Sequence, residues 1–194
     1  SACRSLFPHA ASWGECEGSG SDLIAEEIKV HPLFQNMHDT IIVVSAKEKK
    51  VSSRAGHGLM ENHFYGKARY FQAIENWKLA KEWVQDGSWD HLGSVVEEEA
   101  LSLHAMMMTS RPGYMLMEPE TITAIHKVRD FRFSTGHPVY FTLDAGPNLH
   151  LLYPNNVREE VWTFINEMVN DLGDGTSIID DAVGLGRVRA DKGE

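Results

Sequence analysis

The chain has 194 residues, of which 42% are hydrophobic and 24% are charged, and its formal net charge is −10. This length and balance fit one globular domain, or one domain with part of another. The negative charge argues against a nucleic-acid partner, because phosphate backbones are bound through basic surfaces. Cys3 and Cys16 are too few for a disulfide framework. No segment has the roughly 20 apolar residues of a membrane span, and no secretory leader is evident, so we expect a cytoplasmic protein without membrane contact.

The amino-terminal half predicts one strand and one long helix. Residues 1–8 could begin a helix, and the Gly- and Ser-rich stretch 14–21 is typical of a turn or loop. The β-branched run 41–45 predicts a buried strand. Helical spacing of apolar and aromatic residues predicts a helix over about 59–85, which Gly87 ends.

The second half of the chain predicts three helices and at least two strands. In chain order they are a helix over 88–108, a helix over 120–131, strands at 139–143 and 149–153, a helix over 157–172 and a possible strand at 178–179. We expect the run Glu97–Glu99 on the solvated face of its helix. Because strands and helices do not alternate regularly, the order indicates an α+β fold.

The segment Asp144–Asn148, with the sequence DAGPN, lies between two predicted strands and is typical of a tight turn. A carboxylate beside a glycine turn can approach a ligand closely, and partial burial could tune it as a base. Asp144 could instead only order the turn through bonds to the backbone. On the residues alone, this second role is favoured.

Two further segments have the composition of an anion site. Ser52–Arg54 precedes a predicted helix, and Ser1–Ser5 contains Arg4 at a possible helix start. Hydroxyl groups, a guanidinium and free helix-start N–H groups suit phosphate or carboxylate. Ser52–Arg54 could equally be a helix cap with a solvated arginine, and Ser1–Ser5 alone is a weak signal because the ends of fragments are often disordered.

The ten histidines do not predict a metal site. We find neither a helical i, i+4 pair nor a His-Glu-x-x-His motif, so we expect no transition metal. His104 is interpreted as a helix residue that packs against the core.

Four segments, in this order, resemble the mevalonate-diphosphate decarboxylases of the galacto-, homoserine-, mevalonate- and phosphomevalonate-kinase (GHMP) superfamily. They are SACRS at 1–5, VSSR at 51–54, LHAM at 103–106 and DAGPN at 144–148. The resemblance extends to about residue 153. It implies an α+β, ferredoxin-like carboxyl-terminal GHMP domain at 37–194, with an antiparallel sheet packed against helices. Residues 1–36 would be a remnant of the amino-terminal domain.

The resemblance also implies an activity and assigns residues to it. The activity is the ATP-dependent decarboxylation of (R)-mevalonate 5-diphosphate to isopentenyl diphosphate, with ADP, phosphate and carbon dioxide as the other products. Asp144 matches the catalytic aspartate, and Arg4 matches an arginine near the substrate carboxylate. Ser1 matches a residue of the loop around substrate and phosphate. Ser53 and Arg54 match the pair that holds the diphosphate.

The family further implies ATP and Mg²⁺ as cofactors and a homodimer as the assembly. Its nucleotide-binding loop would lie upstream of Ser1, so we expect a carboxyl-terminal fragment that is inactive alone. Two alternatives stay open. One is a related GHMP decarboxylase or kinase that acts on mevalonate or mevalonate 5-phosphate, and the other is a non-catalytic α+β binding module.

Overall fold

A two-stranded hairpin lies near the amino terminus of the computed structural model, which describes residues 6–16, 19–45, 63–144 and 146–186. Its antiparallel strands are β1, Ala11–Cys16, and β2, Ser19–Glu27. The prediction of a turn or loop over 14–21 was therefore wrong for most of that stretch. Gly14 and Gly20 have φ values of 127° and 83°, so these glycines allow the strands to bend instead of interrupting them.

The described part of the predicted helix over 1–8 is not α-helical, and residues 1–5 lie outside the description. The remaining elements, in chain order, are α1 (Pro32–Gln35), β3 (Met37–Val43), α2 (Gly66–Asp86), α3 (Trp89–Thr109), α4 (Pro119–Thr135), β4 (Tyr140–Leu143), β5 (Leu149–Pro154), a short 3-10 helix (Asn155–Val157), α5 (Arg158–Leu172) and β6 (Ser177–Ala182). Each helix and strand predicted between 88 and 179 is confirmed, apart from small differences at the ends. The strand predicted at 41–45 begins earlier, at Met37.

The four strands β3 to β6 form one antiparallel sheet with the order β4-β5-β3-β6. Read from β3, the chain runs strand, helices, two strands, helix, strand, which is the ferredoxin-like arrangement. The predicted α+β class is confirmed. The division at residues 36 and 37 stays a prediction. In the described part of the chain, no helix is both long and apolar enough to cross a membrane.

The core lies between one face of this sheet and the helices. Alternate strand residues point to that face, and they pack against apolar residues of α4 and α5. The fully buried members include Ile42, Phe141, Leu149, Leu151, Val128, Val161 and Ile165. Thr40 and Tyr153 bring hydroxyl groups into the core, and these bond to each other at 2.8 Å. Their pairing removes the cost of burying two polar groups alone.

Among the described residues, β4 is an edge strand, and its outer side faces helices instead of another strand. Arg132 of α4 donates to the Val139 carbonyl at 2.6 Å, and Glu97 of α3 accepts the Phe141 N–H at 3.4 Å. The two side chains thus satisfy backbone groups at the sheet edge that would otherwise pair with a further strand. Glu97 is only 5% exposed. Its predicted position on a solvated face was therefore wrong, because α3 lies along the sheet edge at this point.

Gly93 lets α3 approach β4 closely. A Cβ atom at this position would lie 2.2 Å from ring atoms of Tyr140, so any side chain would push the helix away. The Tyr140 hydroxyl donates to Asp90 at 3.0 Å. Burial, together with the Asp90 carboxylate, raises the pKa of Tyr140 to about 12. The close approach therefore fixes α3 beside the strand that leads to Asp144.

Candidate functional site

Asp144 directly follows β4, at the start of the turn that joins β4 to β5. Its side chain is exposed, so the partial burial that could have tuned it as a base is not observed. The Gly146 N–H donates to the Asp144 carbonyl at 2.8 Å. Among the described residues, we find no hydrogen bond to the Asp144 carboxylate. The carboxylate is thus an exposed group carried by the backbone at the end of β4.

Side chains of two helices bond to the backbone of the turn that carries Asp144. The carbonyl of Asp144 lies 3.1 Å from His104 Nε2, in α3. Further along the turn, the Thr121 hydroxyl of α4 donates to the Pro147 carbonyl at 2.7 Å. Thr121 has no exposed surface and also accepts the Glu118 N–H at 3.2 Å, which caps α4. Both ends of the turn are thus bonded to side chains of helices.

Asn148, the last residue of the turn, joins it to the end of β3. Its side-chain oxygen accepts the N–H groups of Val44 at 3.1 Å and Ser45 at 3.3 Å. The segment that follows, 46–62, contains the predicted diphosphate-binding pair and lies outside the described residues. The chain that enters this segment is therefore anchored to the same turn that carries Asp144.

One face of α3 contacts β4 and its end through polar residues seven positions apart, which is two helical turns. These contacts join Asp90 to Tyr140, Glu97 to Phe141, and His104 to Asp144. The prediction that His104 is a helix residue packed against the core is confirmed by its burial, but its bond to the Asp144 carbonyl is not predicted from the sequence. The signal that could have found it is this seven-residue recurrence of polar residues within an otherwise apolar face.

Two histidines near Asp144 have pKa values shifted in opposite directions. Burial lowers the pKa of His104, although the bond to the Asp144 carbonyl and the Asp144 charge act against it. The hydrogen bond from His150 to Asp39 raises the pKa of His150, although burial opposes this shift. The Asp144 charge contributes to the increase. The His104 ring is thus held neutral, and the His150 ring is held charged to higher pH than usual.

We expect the His150–Asp39 pair to stabilise the chain in a pH-dependent way. His150 Nδ1 donates to Asp39 Oδ1 at 2.9 Å, which joins β5 to β3. Because the folded pKa of His150 is raised, its contribution is fully present below an unfolded pKa of about 6.5 and is lost as pH rises through the folded pKa. Asp39→Asn should therefore lower the free energy of unfolding by about 1 kcal/mol near pH 6, and by less near pH 9.

Urea denaturation of both proteins at the two pH values measures this difference. Asp130→Asn, a substitution of an exposed carboxylate on α4, is the matched control and should show no such change with pH. An Asp39→Asn effect of the same size at both pH values would contradict a role for the charged imidazole.

Asp144 is the one predicted site residue that the structure describes. Ser1, Arg4, Ser53 and Arg54 lie outside the described residues. Their approach to Asp144 therefore stays a prediction.

The described residues do not by themselves supply a metal centre. Within residues 6–16, 19–45, 63–144 and 146–186, no group of three or more His, Cys, Asp or Glu side chains could hold a metal ion. A Mg²⁺ ion usually takes one or two carboxylates together with substrate phosphates and water. The finding therefore concerns metal ions that take three or more protein ligands.

Comparison with known proteins identifies the family. Residues 40–187 match the family model of the mevalonate 5-diphosphate decarboxylase C-terminal domain. The diphosphomevalonate decarboxylase of Gibberella zeae is 32% identical over 158 residues, which cover 79% of this chain and 41% of that protein. That of Aspergillus fumigatus is 29% identical over 166 residues, which cover 83% and 41%. The chain therefore spans about two fifths of the length of these curated relatives.

Solved structures show the same relationship. The mevalonate diphosphate decarboxylase of Staphylococcus aureus has a TM-score of 0.80 and 27% identity, and the match covers 95% of this chain and 55% of that one. A second solved structure, MDDEF in complex with MVAPP, AMPPCP and magnesium, has a TM-score of 0.79 and 26% identity, with the same coverage of both chains. The chain therefore belongs to the mevalonate 5-diphosphate decarboxylase family, and its residues 40–187 correspond to the C-terminal domain.

Proposed function

We propose that the full-length protein containing this chain catalyses the ATP-dependent decarboxylation of (R)-mevalonate 5-diphosphate. The products are isopentenyl diphosphate, ADP, phosphate and carbon dioxide. The observation that carries the proposal is the exposed Asp144 carboxylate, held by an anchored turn at the end of β4. It is supported by the similarity to diphosphomevalonate decarboxylases over four fifths of the chain.

Asp144 would act on the tertiary 3-hydroxyl group of the substrate. Its carboxylate accepts a hydrogen bond from that hydroxyl, orients the oxygen and takes the proton as the oxygen is phosphorylated. The phosphate then leaves with the C3–O electron pair. Loss of carbon dioxide supplies the electron pair of the new double bond. Because phosphoryl transfer depends mainly on positioning and charge stabilisation, a rigidly held carboxylate suits the first step.

The remaining predicted residues would bind the substrate's anionic groups. Arg4 would pair with the carboxylate that is lost, Ser1 would contact substrate and phosphate, and Ser53 and Arg54 would hold the diphosphate. Guanidinium groups suit both anions because they donate two parallel hydrogen bonds. Each charge-assisted contact contributes about 1.5–3 kcal/mol.

ATP and Mg²⁺ are part of the proposal, with the nucleotide bound mainly by residues outside this chain. The matched domain is the C-terminal one, so we infer that the 194-residue chain is inactive alone and works against an amino-terminal domain. We also propose a cytoplasmic homodimer within the mevalonate pathway of isoprenoid biosynthesis.

The test is a comparison of three substrates with the full-length protein. Mevalonate, its 5-phosphate and its 5-diphosphate are each supplied with ATP and Mg²⁺, and carbon dioxide and ADP are measured. We expect turnover of the diphosphate. For the 5-phosphate, kcat/KM should be lower by about 10- to 100-fold, because this substrate lacks the second phosphate group and its charge-assisted contacts. The 194-residue chain alone should give no turnover. The absence of any turnover of the diphosphate would rule the proposal out.

A second candidate is decarboxylation of mevalonate 5-phosphate. The phosphomevalonate decarboxylase of Haloferax volcanii is 33% identical over 95 residues, which cover 49% of this chain. If the full-length protein prefers the 5-phosphate in the same assay, this second activity replaces the first. The roles proposed for Asp144 would be the same in both.

A further inference from the structure

His104 is a buried polar residue whose ring faces the catalytic turn. Only 2% of its surface is exposed, and its Nε2 atom lies 3.1 Å from the Asp144 carbonyl oxygen. A carbonyl oxygen can only accept a hydrogen bond, so Nε2 carries the hydrogen and donates it. The ring is therefore held as one tautomer that points at the backbone of Asp144.

Packing alone does not account for a histidine at this position. Its neighbours in α3, Ala100, Met106 and Met107, are buried apolar residues, and an apolar side chain would fill the space without the cost of burying an imidazole. Burial also lowers the pKa of His104 and keeps the ring neutral. A neutral ring donates to the carbonyl without placing a buried positive charge beside the turn.

The bond lies close to the group that would react. The Asp144 carbonyl carbon and the Asp144 side chain are attached to the same Cα atom. A shift of the backbone at Asp144 therefore also moves the carboxylate. Gly146 N–H also bonds the same oxygen at 2.8 Å, but it belongs to the turn. His104 connects the turn to α3, which is itself fixed along β4.

We propose that His104 is a positioning residue, which holds the Asp144 backbone so that the carboxylate meets the substrate hydroxyl in the reactive geometry. This inference rests on the proposed decarboxylation for its effect on rate. His104 does not touch the substrate in this role, because its ring is buried and its Nε2–H is used by the backbone.

The test compares three substitutions in the full-length protein. His104→Gln places an amide N–H near the position of Nε2, His104→Asn has the same amide but is too short to reach, and His104→Met fills the space without a donor. We expect His104→Asn and His104→Met to lower kcat by about 10- to 100-fold, since a displacement of about 1 Å can cost that much. KM should change less than about threefold, and His104→Gln should recover most of the rate. His126→Met, on the exposed side of α4, is the control.

Hydrogen–deuterium exchange of the segment 143–152, measured by mass spectrometry, gives a reading that does not need turnover. Exchange should become faster in His104→Asn and His104→Met but not in His104→Gln. The His104→Asn variant keeps the comparison possible if His104→Met does not fold.

The outcomes separate the two proposals. Wild-type kcat in folded His104→Asn would overturn the positioning role, and so would a His104→Gln rate as low as that of His104→Asn. If the wild-type protein turns over no substrate, the proposed function has failed. The hydrogen–deuterium exchange of the turn then tests the role of His104 by itself. Unchanged exchange at the turn then overturns the inference, and faster exchange that glutamine restores supports it.

Discussion

Replacing Asp144 with asparagine in the full-length protein is expected to lower kcat for the diphosphate by about 10²- to 10⁴-fold, the range typical of a lost general base. Asparagine keeps the size of the side chain but cannot accept the proton of the hydroxyl. The substitution should leave the free energy of unfolding nearly unchanged, because the side chain is exposed and the turn is held through its backbone carbonyls. Steady-state kinetics and urea denaturation of the same preparations measure both quantities.

Asp130→Asn is the matched control for this prediction. Asp130 is also an exposed carboxylate, but it lies in the middle of α4 and should affect neither rate nor stability. Turnover of Asp144→Asn at the wild-type rate would show that the Asp144 carboxylate has no catalytic role. In that case the resemblance of its motif to the family would not extend to its chemistry.

Glu97→Ala is expected to cost the chain about 3–5 kcal/mol of unfolding free energy, the usual effect of removing one partner from a buried ion pair. Glu97 pairs with Arg132 at 2.7 Å and with Arg129 at 3.5 Å. Its removal leaves Arg132, whose side chain is 23% exposed, without a counter-charge. It also leaves the Phe141 N–H without its acceptor at the edge of β4.

The adjacent Glu98→Ala provides a control of the same chemistry. Glu98 is exposed and accepts from Gln72 and Asn76 on α2, so its loss should cost at most about 1 kcal/mol. Glu97→Gln, which keeps the acceptor for Phe141 but not the charge, should fall between the two alanine variants. Urea denaturation measures all three. Equal costs for Glu97→Ala and Glu98→Ala would contradict the role assigned to the strand edge.

These two predictions concern the same strand. Glu97 and Arg132 bond the outer edge of β4, and His104 bonds the residue at its end. A strand that is fixed along its edge gives the turn beyond it a defined starting point. Partial loss of this support should therefore reduce activity as well as stability, even though Glu97 makes no bond to Asp144 among the described residues.

Local pattern alone was enough to predict most of the secondary structure. Helical spacing located α3, α4 and α5, and β-branched or apolar runs located β3, β4 and β5. These predictions succeeded because each depends on neighbours within a few residues. The DAGPN turn was also found, since its glycine and proline act locally. The hairpin of β1 and β2 is not predicted, because its glycines are typical of a loop. Pairing between the two strands sets the conformation instead.

Residue patterns alone predict the α+β order, the turn that carries Asp144 and the four motifs that resemble the family. Tertiary structure decided which polar side chains are buried and what they hold. Glu97 meets Arg132 across 35 residues, and His104 meets Asp144 across 40 residues. The seven-residue spacing of Asp90, Glu97 and His104 marks one helix face, but a carboxylate or an imidazole on that face has the same pattern whether it meets water or a strand edge. Only the packing of α3 against β4 distinguishes the two environments.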